Sequence, residues 1–224
     1  MKKHTLLPEI LIFSLILLGC IVPPFFTNSE NVNSQAFVSW NFPWQALFHG
    51  FFAVVLFVLS QKLYKNTESE ATQKYFLFFH ILIPATFCFA ALFSISLLFK
   101  FISVLLKVQN SLFVKKPDSI LSVIFCLLLF GNSAFYEEVI YRFYFPEALL
   151  RFIKLKSQNK ILFFFAELSS ALVFAFAHLY SGYLSVINAF AAHIILRICY
   201  KKSGNLWAGF AAHFLYNIIS LILL

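Results

Sequence analysis

The sequence predicts an all-α membrane protein, a polytopic bundle of about seven transmembrane helices, and three observations carry that expectation. Of its 224 residues, 61% are hydrophobic and only 12% charged, with a mean hydropathy of +0.85, far too apolar for a soluble domain of this size. Apolar runs long enough to cross a bilayer, about 20 residues each, recur along the chain. The formal charge of +8 falls mostly in short loops between those runs, as the positive-inside rule expects. No basic patch of the kind that binds nucleic acid is present. Cys20, Cys88, Cys126 and Cys199 all lie in apolar runs without metal-type spacing, so they read as packing residues and no disulfide is expected.

The first apolar run follows Met1-Lys2-Lys3-His4 and has the form of a signal peptide or a first helix. Leu17-Leu18-Gly19-Cys20 resembles a loose lipoprotein box, but Ile21-Val22-Pro23-Pro24-Phe25-Phe26 continues apolar. The expectation is an uncleaved helix. Thr27 to Ala36 is polar without Lys or Arg and reads as an outside loop. A second span is expected from about Trp44 to Leu63, and the charged loop Lys65 to Lys74 reads as cytoplasmic. A third run extends from near Tyr75 to about Leu106, longer than the ~20 residues a bilayer needs. It is either tilted or broken near Lys100, and a split would give eight membrane segments.

Lys107 to Ser119 is a connector, with Ser119 placed to cap the fourth span, which leads into Glu137. Arg151 to Lys160 reads as a basic loop. The fifth span is expected over Ile161 to His178, the sixth over Tyr183 to Tyr200 and the seventh over Leu206 to Leu224. Their short connections imply consecutive antiparallel hairpins. The whole is one compact membrane domain, with N-terminal helices over residues 1–118 and a core over residues 119–224.

Within that core, Ala134-Phe135-Tyr136-Glu137-Glu138-Val139-Ile140-Tyr141-Arg142 places two carboxylates and an arginine at the end of an apolar run. Ionisable groups there persist when they are paired or used. Glu138 and Arg142 stand at i and i+4 and can pair. Glu137 points about a hundred degrees away on the same helix and is left for chemistry. The plain alternative is an interfacial Glu–Arg helix end near lipid headgroups. His178 ends the fifth span, and His213 and Asn217 share a face of the seventh at i and i+4. A single intramembrane histidine is often an interhelical hydrogen-bond partner. A carboxylate, two imidazoles and a carboxamide on three helices, however, suffice for hydrolysis. The carboxylate takes a proton from water, an imidazole orients the water or protonates the leaving amine, and the amide supports an oxyanion. Gly209, Ala211 and Ala212 before His213 would let a neighbouring backbone approach. Glu167 is a candidate second acid, His193 and Arg197 face either the site or the cytoplasmic surface, and His49 and His80 read as structural.

Glu137-Glu138-x-x-x-Arg142, Phe174-x-x-x-His178 and His213-x-x-x-Asn217 resemble the three motifs of the CAAX-protease and bacteriocin-processing family (CPBP, also called Abi), which includes the Ras-converting CAAX endopeptidases. Gly204-Asn205-Leu206-Trp207 is similar to the approach to the family's third motif, and the resemblance covers roughly Ser119 to Leu224. It implies an intramembrane endopeptidase acting on a membrane-associated peptide, of CAAX type or leader-like. Glu137 would activate water, Glu138 would be held by Arg142, His178 would contact water or metal, and His213 with Asn217 would complete the site at the oxyanion. Glu137, His178 and His213 would satisfy a catalytic zinc with an open fourth position, but the His-Glu-x-x-His arrangement of soluble zinc proteases is absent. No cofactor is therefore expected to be obligatory, with zinc as the alternative. The partners implied are the lipid bilayer and a membrane-tethered peptide. The short loops and Lys-rich character suggest a bacterial cytoplasmic membrane. A non-catalytic immunity or adaptor protein is the competing reading, and a transporter, which predicts internal repeats, is a third.

Overall fold

The computed structural model describes residues 6–26, 42–64, 78–107, 116–154 and 159–223, and among them every regular element is helical. In chain order these are α1 (Leu6–Ile16), α2 (Trp44–Tyr64), α3 (Ile83–Leu105), α4 (Ile120–Glu137), α5 (Phe145–Lys154), α6 (Lys160–Phe176), α7 (Tyr183–Ser203) and α8 (Leu206–Leu223). α4 and α5 are joined without a break by a π-helical turn, Glu138–Tyr144, so they act as one rod. Four helical stretches are long and apolar enough to cross a membrane: Ile83–Leu105, Ile120–Ile153, Tyr183–Ser203 and Leu206–Leu223. The protein is an integral membrane protein, and large apolar side chains such as Phe87, Phe101, Ile120 and Phe164 cover its outside.

Two sequence expectations on boundaries are corrected. The third run is not broken near Lys100: a π turn, Phe78–Leu82, leads into α3, which runs through Lys100 to Leu105. The basic stretch is not loop from its beginning, because Arg151 to Lys154 belong to α5. The polar loop at 27–36, the loop at 65–74 and the side chains of Cys20 and His80 lie outside what is described. Cys88, Cys126 and Cys199 are free and buried.

Ser119 caps α4 as its sequence position suggests. Its hydroxyl accepts from Ser122 N at 3.2 Å while Ser122 Oγ accepts from Ser119 N at 2.9 Å, a reciprocal box that satisfies two otherwise orphaned donors. Lys116 Nζ donates to Ile222 O at 2.8 Å, binding the start of the rod to the carbonyl end of α8, where a cation is favoured. The α7–α8 turn is sharp because Gly204 adopts φ +63 and closes α7 by donating to Tyr200 O at 2.9 Å, a left-handed cap that glycine makes without a Cβ penalty. Asn205 Oδ1 then accepts from Trp207 N at 2.8 Å and starts α8 in the opposite direction.

The rod is central. The π turn is contacted by α2, α6, α7 and α8, and the fully buried Val139 and Ile140 lie in it. α1 closes one side by stacking Phe13 on Phe145, with ring centroids 5.6 Å apart. α2 approaches α4 closely enough that a Cβ on Gly50 would collide with Asn132 Oδ1 and force that side chain to shift. On the other side α3 packs on α7 and α8, where Ser96 and Tyr216 are hydrogen-bonded through their hydroxyls.

Candidate active site

The two adjacent glutamates occupy different environments, as helical phase requires. Glu138 turns inward from the rod and its side chain is 0% exposed, whereas the Glu137 side chain is 23% exposed. Arg142, also fully buried, places Nε 3.6 Å from Glu138 Oε1 and Nη1 4.0 Å from Glu137 Oε2. One guanidinium therefore serves both carboxylates. Its other face is covered by Phe174 of α6, with the guanidinium carbon 3.8 Å from the ring centroid, a cation–π contact that is strongest where water is excluded.

His213 of α8 links the same two acids. Its Nδ1 is 2.9 Å from Glu138 Oε1, and its Nε2 is 3.8 Å from Glu137 Oε2. An ionised carboxylate can only accept, so the proton of the Glu138 contact sits on Nδ1. In the neutral imidazole Nε2 then carries the lone pair and faces Glu137. α8 comes this close because of Gly209: a Cβ there would lie 2.8 Å from Glu138 Oε2. The small residues ahead of His213 thus admit a carboxylate, where the sequence suggested room for a backbone.

The fifth-span motif is used through its backbone as well as its rings. His178 follows the end of α6, and its Nδ1 bonds Phe174 O at 2.9 Å, leaving Nε2 as the free ring nitrogen. The rings of His178 and Phe174 are 4.7 Å apart. Phe174 therefore joins His178 to Arg142. Among the described residues no hydrogen bond or ion pair joins His178 directly to the glutamates, and none is made by Asn217, which sits half-buried one turn beyond His213. Glu137, Glu138, Arg142 and His213 are brought together, while His178 and Asn217 make no direct bond to them among the described residues. Also among the described residues, no three of His, Cys, Asp and Glu gather as metal ligands. With His213 Nδ1 held by Glu138 and His178 Nδ1 by Phe174 O, each imidazole keeps its Nε2 for another partner.

Glu167 is not a second acid, because it is paired with Arg197 at 2.8 Å and with Lys201. Arg197 is buried and turned inward. Its neighbour His193 is buried against Phe174, with neither ring nitrogen hydrogen-bonded within the protein. His49 stacks on Tyr136 at 4.9 Å beside Glu137. Tyr180, in the turn after His178, was not singled out by its sequence. Burial pushes its phenol up, and the negative charge of Glu137 adds to that shift, so a protonated hydroxyl lies within the field of the exposed glutamate.

Residues 118–219 match a family model described as type II CAAX prenyl endopeptidase, Rce1-like. No curated protein and no solved structure matches the chain. The matched segment begins beside the Ser119 cap and ends just past Asn217, so it contains every residue of the cluster.

Proposed function

We propose, from the membership of residues 118–219 in the CAAX-protease family, that this protein is an intramembrane endopeptidase in which Glu137 activates water. The observation that carries the assignment of Glu137 is the difference between the two glutamates. Glu138 is sealed against Arg142 and His213, whereas Glu137 is partly exposed and opposed by an imidazole nitrogen at 3.8 Å. Two acceptors at that separation can each receive a hydrogen bond of about 2.8 Å from one water. Both water protons then point into the protein and an oxygen lone pair points out, toward a carbonyl carbon.

The reaction follows from those positions. As the water oxygen attacks the scissile carbonyl, Glu137 takes the proton and later releases it to the departing amine. Arg142 stabilises the anionic Glu137 from behind. Glu138 keeps His213 in one tautomer and one orientation, as a carboxylate behind a catalytic imidazole commonly does. His178 and the carboxamide of Asn217 are assigned to the oxyanion and the leaving group, supported by their place in the motif helices and their free polar atoms. The substrate class is a membrane-tethered peptide of CAAX or leader type, and a bacterial cytoplasmic membrane remains the proposed location. No step is assigned to a metal.

The test is cleavage of a panel of membrane-tethered peptides, prenylated and unprenylated, by purified wild type and Glu137→Ala, with and without a chelator. Cleavage by wild type alone, unchanged within about twofold by the chelator, is expected. Loss on chelation that zinc restores would replace the glutamate-activated water with a metal mechanism. Equal cleavage by both proteins would remove Glu137 from the chemistry and favour the adaptor reading. A second expected result concerns Gly209→Ala. Displacing the Glu138 carboxylate by the new Cβ also displaces His213, so kcat should fall about tenfold or more, given overpacking costs of about 1–3 kcal/mol. Unchanged kcat would show that the Glu138–His213 contact does not govern the rate.

A further inference from the structure

The π turn carrying Glu138 and Arg142 leaves two backbone carbonyls without their helical donors. Phe145 N–H bonds Ile140 O, five residues back, and is therefore not spent on Tyr141 O, its α-helical acceptor. The next residue, Pro146, has no N–H. Tyr141 O loses its α-type and its π-type donor together, and Arg142 O loses its α-type donor. Both residues are buried, and a buried acceptor left unpaired destabilises the fold.

Two side chains from other helices take these carbonyls. Ser170 Oγ of α6 donates to Tyr141 O at 2.9 Å, and Arg197 Nη1 of α7 donates to Arg142 O at 2.6 Å. Arg197 is itself fixed. Its Nε and Nη2 form a fork on Glu167 at 2.9 and 2.8 Å, and Nη2 also bonds Glu147, the residue after Pro146, at 2.8 Å. The planar guanidinium makes all of these bonds at once, which a lysine ammonium could not do.

We infer that Ser170 and Arg197 replace the amide donor Pro146 lacks, and that this clamp sets the register of the wide turn that aims Glu137, Glu138 and Arg142. Neither is a catalytic residue; both are positioning residues acting through the backbone of the turn. Only the kinetic consequence rests on the proposed proteolysis, because the clamp itself has a readout in folding.

The experiment is a double-mutant cycle between Ser170→Ala and Pro146→Ala in the full-length protein in detergent. It reads the thermal midpoint of unfolding together with kcat and KM for a tethered peptide. Pro146→Ala returns an N–H at the position where it is missing. Ser170→Ala alone should lower the midpoint by several degrees and kcat about tenfold, the effect of one buried acceptor left unpaired, with KM within about twofold. In the Pro146→Ala background the same substitution should have little effect on either. Arg197→Lys should behave as Ser170→Ala does alone, with a larger drop in kcat. Ser170→Ala effects of equal size in both backgrounds overturn the clamp, whether or not any peptide is cleaved. Coupling in the midpoint with kcat unmoved overturns the positioning role. Failure of the proteolytic reading is separate: there the midpoint coupling stands, while Glu137→Ala cleaves as wild type does.

Discussion

Glu138→Ala should be the most destabilising single substitution in the site, costing about 3–5 kcal/mol, the range for removing one partner of a buried ion pair. The physical reason is what it leaves behind. Arg142 is fully buried, and without Glu138 its remaining neighbours are Glu137 at 4.0 Å, the Glu137 carbonyl at 3.4 Å and the Phe174 ring. His213 Nδ1 loses its acceptor at the same time. Arg142→Leu should cost a similar amount by the opposite route, leaving a buried carboxylate with only an imidazole beside it. The double variant Glu138→Met/Arg142→Leu should recover most of the loss, since an apolar replacement for a buried pair is often neutral, yet it should cleave nothing. The measurement is the thermal midpoint of purified variants in detergent. A wild-type midpoint for Glu138→Ala would mean that water reaches Arg142, contrary to its burial.

The sequence made much of this arrangement legible and left the rest hidden, and the dividing line is distance along the chain. Glu138 and Arg142 could be paired on paper because i and i+4 are neighbours on any helix. Ser119 could be read as a cap because capping is decided within four residues. Glu167 looked like a spare acid because its partners, Arg197 and Lys201, lie on another helix 30 and 34 residues away. Arg197 looked ambiguous between site and surface for the same reason. The bridging role of His213 depends on a contact across 75 residues, and no periodicity reports which nitrogen of an imidazole meets which carboxylate. The π turn left a single trace in the sequence, Pro146, which reads equally well as a helix boundary. Only the two bonds from α6 and α7 show why the helix passes through it instead of stopping.

The membrane setting sharpens this division. An apolar exterior facing lipid tells little about which face of a helix is inward, since both faces of α3 and α6 are rich in Phe, Leu and Ile. The inward faces are marked by polar and small residues instead: Glu167 and Ser170 on α6, three positions apart, and Gly209 and His213 on α8, four apart. That spacing puts each set on one side of its helix. The same reasoning separates Glu137 from Glu138, and it leads to the second large effect.

Glu137→Gln should reduce kcat about a thousandfold, within the range that loss of a positioned general base produces, while leaving the fold nearly untouched. The amide keeps the shape of the carboxylate but cannot take a proton from water, and its NH2 would offer His213 Nε2 a donor where the water should sit. Stability should barely change. The Glu137 side chain is 23% exposed and its charged partner Arg142 stands at 4.0 Å, a separation at which a partly solvated ion pair contributes about 1 kcal/mol or less. KM for a tethered peptide should stay within about twofold. Adjacent glutamates therefore give opposite phenotypes: Glu138→Ala loses the fold and with it activity, and Glu137→Gln loses activity alone. A Glu137→Gln protein that melts well below wild type would instead make Glu137 part of the structural pair, and the search for the base would move to His213.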